Sequence, residues 1–306
     1  CENSCFAEKY LMNESGLVVA RFRRHALVES TEHKRYLCQF QSRDLHPVVG
    51  DSVQWRREGA ESGTLELVDC RSSELKRINS RGQPESVAAN LSQLVIVLAA
   101  SPTPDWFLLD RYLAAGELEG LNNIIIFNKL DISATPPSKF RIYKNLGYPV
   151  MAVSAREQTG LKPLESIMEG ERSAIIGQSG VGKSSLTNAL MGDALQRVEQ
   201  LSDKASQGRH TTTTAALYRL PSGGELIDSP GVRDYSPFIK NAQKVQLGFR
   251  EFIARSPYCR FDDCKHLAEP ECAVKAALVN SEVASQRYES YKKLYELTET
   301  LQSRYN

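Results

Sequence analysis

The run "GQSGVGKSS", residues 177–185, sets three glycines, a lysine and hydroxyl side chains at the spacing of a phosphate-binding loop. Gly177, Gln178, Ser179, Gly180, Val181 and Gly182 would turn successive backbone N–H groups toward phosphate oxygens, at the positive end of a helix starting near Lys183. Lys183 would reach the β- and γ-phosphates, Ser184 would offer its hydroxyl to Mg²⁺, and Ser185 joins the phosphate set. The pattern needs a strand before it and a helix after it. "AIIG" and "SSLTNAL" supply both.

A phosphate loop does not choose a base; "NKLD", residues 128–131, does. Guanine presents N1–H and its 2-amino group side by side, and the Asp131 carboxylate can accept from both. Adenine has no donor there, so a buried acceptor would stay unpaired at a cost of about 1–3 kcal/mol. Asn128 would bond within the site and to the base, and the Lys129 stem would cover the ring face. "SA", Ser154 and Ala155, follows another apolar run and would set the Ala155 N–H at guanine O6. "DSPG", residues 228–231, would set Asp228 near Mg²⁺ and the Gly231 N–H at the γ-phosphate. Each element ends an apolar strand, where open α/β sheets bind ligands.

"GRHTTTT", residues 208–214, occupies the place of a first switch loop, with Thr212 expected to complete the Mg²⁺ shell and assist catalysis with Lys183. Hydrolysis also needs a group that orients water, commonly a Gln just after DxxG. Val232 stands there instead, so His210 is the nearest candidate. Two readings are open for His210: fixing the water, or contacting a partner. Slow intrinsic hydrolysis, stimulated by a partner that orders the loop, is expected. Farther on, Cys259-x₄-Cys264-x-His266-x₅-Cys272 gathers three thiols and an imidazole within fourteen residues. Such a set closes a tetrahedron around one structural Zn²⁺ and leaves no open position for catalysis. The alternative is buried free thiols beside an exposed histidine.

These residues need scaffolds. Residues 16–78 carry short alternating runs punctuated by Gly, Asp and Pro, which predict a small antiparallel barrel. "NSRGQPES" then reads as a linker. From about residue 88, apolar runs such as "LVIVLA" and "IIIF" alternate with helical stretches, predicting parallel strands joined by crossover helices. After "DSPGV" the pattern turns helical and ends in "SQRYESYKKLYELTETLQ". The 306 residues suffice for two or three domains, and a net charge of +1 gives no global basic character, so any nucleic-acid surface must be a local patch. "RFRRH", residues 21–25, and "HKR", residues 33–35, offer one, with a solvated strand face as the equal alternative. No apolar run reaches the roughly 18–20 residues of a membrane span. Cys38 and Cys70 fall in strand-like stretches, and the seven cysteines together read as a reduced, cytoplasmic metalloprotein. The chain starts on Cys1 rather than Met, so the natural start is expected to lie elsewhere.

Taken together, "VVGDSVQW", "AANLSQLVIVLAASP", "LDRYL", "NKLD", "GQSGVGKSSLTNAL", "GRHTTTT", "DSPGVRD" and the Cys/His cluster resemble one family: circularly permuted bacterial GTPases known as ribosome small-subunit-dependent GTPase A. The resemblance implies three domains. They are an oligonucleotide-binding-type (OB-fold) barrel over 1–82, a permuted α/β P-loop GTPase domain over 83–238, and a helical zinc-binding domain over 239–306. It also implies GTP and GDP as ligands with Mg²⁺ and Zn²⁺, a late role in maturing the small (30S) ribosomal subunit, hydrolysis stimulated by that subunit, and the subunit with its 16S rRNA as partners. In the family the histidine of the "RHTTT" loop is a candidate for positioning water, which maps onto His210, and the second threonine after it maps onto Thr212. A cytoplasmic monomer is expected, with no membrane partner. The opening "CENSCFAEKYLMNES" departs from the family's basic tail. An RNA-binding scaffold with ancillary nucleotide is the competing reading.

Overall fold

The structure is a computed structural model, and it describes residues 13–79, 81–133, 135–192, 215–233 and 235–305. Its elements follow from where the apolar residues fall. In β8 (Gln93–Ala99) all seven residues are buried. Leu94, Ile96 and Leu98 face one core with Leu109, Tyr112 and Leu113. Val95, Val97 and Ala99 face the opposite core with Leu164, Met168, Leu186 and Leu190. A strand buried on both faces at period two is the signature of a parallel sheet clad by helices. Around β8 lie β9 (Asn122–Asn128), β10 (Val150–Ala152), β11 (Arg172–Gly177) and β13 (Glu225–Asp228), in the order β10-β9-β8-β11-β13, all parallel. The edge strand β12 (Ala215–Arg219) runs antiparallel to β13. Helix α1 (Trp106–Leu118) starts at Asp105, whose Oδ1 accepts from the Leu108 N–H at 3.0 Å.

The N-terminal strands β1 (Glu14–Arg21), β2 (His25–Ser30), β3 (Arg35–Phe40), β4 (Ser52–Arg57) and β5 (Ser62–Val68) pair in the order 1-2-3-5-4. β1 closes on β4, and β3 lies parallel to β5, giving the expected five-stranded oligonucleotide-binding-type barrel. Its interior holds Val18, Val28, Tyr36, Cys38, Val53, Trp55 and Leu65. Cys38 is a core residue of β3, whereas Cys70 lies exposed just past β5, outside the strand expected for it.

Two features depart from the sequence-based expectation. The stretch expected as a linker is not one. Residues 84–86 begin the second arm of a hairpin between β6 (Glu74–Ile78) and β7 (Pro84–Ala89), a separate two-stranded sheet, and the Gly82 N–H donates to the Asn79 carbonyl at 2.9 Å. Nor is the barrel joined to the central sheet by covalent chain alone, because β1 pairs with β12 through Ala20↔Ala216 and Arg21↔Ala215. The C-terminal part gathers Val245, Phe249, Phe252, Val274 and Ala277 under the helix Ser285–Tyr305. That helix contributes Tyr288, Tyr291, Leu294 and Tyr295, one face at three- and four-residue spacing.

Candidate nucleotide and metal sites

Four strand ends converge at one edge of the parallel sheet. Asn128 ends β9, Gly177 ends β11, Asp228 ends β13, and the Ser154–Ala155 pair follows β10. Asn128 is 1 % exposed and makes the central connection: its Nδ2 donates to the Val181 carbonyl at 3.0 Å, while its Oδ1 accepts from the Ala155 N–H at 3.1 Å. One amide therefore ties the base-reading loop, the SA element and the phosphate loop together. Gly182 lets this happen. Its φ is +92°, and a Cβ there would stand 2.5 Å from Asn128 Nδ2. The Ala155 N–H expected at guanine O6 is thus bonded to Asn128 in this structure.

Lys129, at a left-handed φ of 66°, stretches across the site and donates its Nζ to the Ser101 carbonyl at 2.8 Å and the Gly180 carbonyl at 2.6 Å. Its stem therefore spans from the end of β9 to the crest of the phosphate loop. The Ser154 hydroxyl, fully buried, donates to Asp131 Oδ1 at 2.8 Å and accepts from the Glu157 N–H at 3.2 Å. Lys183 opens its helix, Lys183–Met191, with Nζ on the Gly177 and Gln178 carbonyls at 2.7 and 3.0 Å. The Gln178 side chain turns away from the loop, and its Oε1 accepts from the Asp105 N–H at 3.2 Å, tying the phosphate loop to the start of α1. Ser184 and Ser185 lie exposed on the first turn of that helix. Ser179 belongs to the exposed crest of the loop.

After β13 the chain coils tightly, with the Val232 N–H donating to Ser229 Oγ at 3.0 Å and the Arg233 N–H to the Ser229 carbonyl at 2.8 Å. Val232 is fully buried in the core, which accounts for an aliphatic residue where a water-orienting Gln was sought. A Cβ on Gly231 would stand 2.7 Å from Val87 Cγ1, so the β6–β7 hairpin lies directly on the DSPG turn. The Phe238 N–H donates to the Lys76 carbonyl at 2.9 Å on one side, while Tyr112 and Arg111 of α1 donate to the Tyr235 and Pro237 carbonyls on the other. His210 and Thr212 lie outside the described residues. The hydroxyl of Ser184 and the carboxylate of Asp228 are hard oxygen donors at the same edge of the sheet, a set that fits Mg²⁺.

The sulfurs of Cys259, Cys264 and Cys272 and a ring nitrogen of His266 lie within 4.8 Å of one another. Cys259 and Cys272 Sγ are 3.9 Å apart, and His266 Nδ1 stands 3.5 Å from the first and 3.4 Å from the second. A tetrahedron with Zn–S of about 2.3 Å and Zn–N of about 2.0 Å has edges of about 3.8 and about 3.5 Å, so the donor set fits Zn²⁺. Burial pushes the Cys264 thiol up to about 12 and raises Cys272 as well. Burial thus disfavours the bare thiolates of Cys264 and Cys272, which a bound cation would stabilise. Burial also lowers the His266 pKa, favouring the neutral imidazole that ligates metals. Gln246 was not foreseen: its Oε1 lies 2.7 Å from His266 Nε2, which fixes that nitrogen as the donor and leaves the Nδ1 lone pair facing the sulfurs. The hydroxyls of Tyr288 and Tyr291 hold the carbonyls of His266 and Lys265 at 2.7 and 2.6 Å. The spacing of Tyr288 and Tyr291 marked a buried helix face, but nothing in it marked a metal loop.

On the barrel, Arg23, Arg24 and His25 are exposed at the β1–β2 turn. The "HKR" stretch is neutralised instead, with Lys34 on Glu32 and both His33 and Arg35 on Glu29. A cavity of about 540 Å³ at the opposite end of the sheet is lined by Arg172, Arg219 and Glu225 among others. Its arginines are already paired with Glu225 and Glu29, and none of the convergent strand ends reaches it. No helix among the described residues is long and apolar enough to cross a membrane.

Comparison with known proteins gives consistent results. The model of the RsgA GTPase family matches residues 68–237. A Pseudomonas fluorescens protein described as small ribosomal subunit biogenesis GTPase RsgA is 40 % identical over 290 residues, covering 92 % of this chain and 84 % of the relative. Its Haemophilus influenzae counterpart is 35 % identical over 303 residues, covering 96 % and 88 %. Among solved structures, YjeQ from Thermotoga maritima superposes with a TM-score of 0.72 at 30 % identity, over 94 % of this chain and 98 % of that one. YloQ, described as a circularly permuted GTPase, gives 0.72 at 26 % identity, over 95 % and 96 %.

Proposed function

The chain belongs to the RsgA GTPase family, and from that premise we propose that it hydrolyses GTP as a switch in assembly of the small ribosomal subunit. The observation that carries this reading is the Asn128 amide, which locks the base reader, the SA element and the phosphate loop into one site although they occur in permuted order. Asp131, oriented by Ser154, receives N1–H and the 2-amino group of guanine, Lys129 covers the ring, and the Ala155 N–H lies beside O6. The N–H groups of residues 177–185 and the Lys183 ammonium hold the phosphates, and the Gly231 N–H meets the γ-phosphate. Ser184, Asp228 and Thr212 would hold Mg²⁺. When bound, that ion neutralises charge developing on the transferred phosphoryl group. His210 orients the attacking water, since Val232 is aliphatic and buried. Cys259, Cys264, His266 and Cys272 hold one structural Zn²⁺, which fastens the C-terminal loops.

The site's partner is the small subunit and its 16S rRNA, met by a cytoplasmic monomer. The exposed Arg23 and Arg24 at the barrel turn support RNA contact, because among the described residues neither has a side-chain partner. The deciding experiment measures GTP turnover with and without purified small subunits, in the parent and in His210→Ala. Strong stimulation of the parent, lost in the variant, is expected. Equal turnover in all four conditions, with RNA affinity indifferent to GDP, GTP or neither, would establish the scaffold reading instead.

A further inference from the structure

Asp228 is not an open carboxylate. Arg233 grips it as a fork, with Nε donating to Oδ1 at 2.7 Å and Nη2 donating to Oδ2. The reach is set by the coil after β13, where Ser229 takes the Arg233 N–H and brings residue 233 back over residue 228. The Asp228 carboxyl is 15 % exposed and the Arg233 side chain 47 %, so the pair stands at the rim of the site. Arg233 is also the cation that follows directly on the turn whose Gly231 lies against Val87.

A planar guanidinium bonded to both oxygens uses the lone pairs through which a carboxylate binds a divalent ion, directly or through a bound water. A guanidinium and Mg²⁺ also repel one another at that range. We infer that Arg233 is a resident counter-cation that competes with Mg²⁺ for Asp228, making it a positioning residue that sets how readily the nucleotide site takes its metal. The inference rests on the assignment of Asp228 as a metal ligand. Metal affinity is then reduced by the fraction of molecules in which the fork is closed. For a part-exposed pair with good fork geometry that factor is about fivefold.

The test is a Mn²⁺ titration of the GDP-bound full chain, followed by the electron paramagnetic resonance signal of free Mn²⁺, in four proteins beside the parent. Arg233→Gln is expected to bind Mn²⁺ about fivefold more tightly, and Arg233→Lys, which keeps the charge but loses the fork, to fall between. Arg156→Gln removes an exposed arginine just after the SA element and is expected to leave the affinity at the parent value. Asp228→Asn is expected to weaken binding strongly. An unchanged or weaker affinity in Arg233→Gln, with Asp228→Asn still defective, overturns the competition alone. Full affinity in Asp228→Asn overturns the ligand assignment beneath it, and an equal gain in Arg156→Gln reduces the effect to net charge. GDP affinity in excess chelator, unchanged across the set, verifies that each variant retains the site.

Discussion

Ser154 has no access to solvent, yet its hydroxyl is fully used: it donates to Asp131 Oδ1 and accepts from the Glu157 N–H. The carboxylate proposed to read guanine is therefore aimed by a neighbour rather than by its own rotamer preference. Removing the hydroxyl in Ser154→Ala frees Asp131 and leaves the Glu157 N–H without that acceptor. One lost hydrogen bond of about 1 kcal/mol corresponds to roughly fivefold weaker GDP binding. Fluorescence titration with a labelled guanine nucleotide measures it, and parent-like affinity in Ser154→Ala would refute the aiming role. Residue-scale features of this kind were largely legible in advance. Asn128, Lys129, Asp131 and Lys183 belong to short motifs whose backbone geometry is local, so their types and order suffice to place them. Gln178 shows the limit. Its position within the phosphate loop was readable, but its side-chain bond to the Asp105 N–H joins segments 73 residues apart and leaves no local trace.

Elements were legible where hydrophobic periodicity was strong and missed where turn chemistry dominated. The seven buried residues of β8 declare a central strand, whereas β7 begins with a proline and carries mainly small side chains. Its partner is β6, so the polar, Gly-containing stretch between them, together with the proline that opens β7, reads as a linker until the pairing is seen. The Cys/His loop is the opposite case. Its candidate ligands stood out by spacing, but the support did not, because Gln246 lies in the 3₁₀ segment Ala242–Gly248, well before Cys259. Loss of an outer-shell partner that fixes a ligand tautomer lowers metal affinity by about 10–100-fold. Gln246→Ala is accordingly expected to lose Zn²⁺ to a colorimetric chelator at concentrations the parent withstands. Hydrogen exchange after chelation is expected to show lost protection across residues 256–279 with β8, β9 and β11 unaffected. Uniform deprotection of the chain would contradict a purely local metal role.

At the scale of the molecule, the parts are joined by pairings that cross the expected domain limits. Glu29 of the barrel is 4 % exposed and is shared by Arg35, His33 and Arg219, the last on β12 of the GTPase sheet. Burial acts to raise its pKa, but the hydrogen bonds from Arg35 and His33 and the charge of Arg219 outweigh it, leaving it below its ordinary 4.5. A depressed folded-state pKa contributes stability that is complete above 4.5 and is lost as the pH falls through the folded value. Denaturant melts from neutral pH into that acid range are therefore expected to fall less steeply with pH in Glu29→Gln than in the parent, and identical slopes would exclude the carboxylate as a source of acid sensitivity.

The other seam is deeper. Arg287, with no solvent exposure, donates Nε and Nη2 to Glu251 at 2.7 and 3.0 Å and Nη1 to Asp110 of α1 at 2.8 Å. Burial opposes its charge, but Asp110 and Glu251 prevail and hold the guanidinium protonated. The part that carries the Cys/His cluster is thus fastened to the helix that also bonds the segment after DSPG through Arg111 and Tyr112. One shared helix therefore contacts both the segment after DSPG and the part that carries the Cys/His cluster, a link beyond covalent succession along the chain. Arg287→Met strands two buried carboxylates and is expected to cost about 3–5 kcal/mol in denaturant unfolding. Replacing all three groups, Arg287→Met with Asp110→Leu and Glu251→Leu, removes the stranded charges and is expected to regain most of that loss. A single variant costing under about 1 kcal/mol would mean that water reaches the seam and that the two halves are not held by this contact.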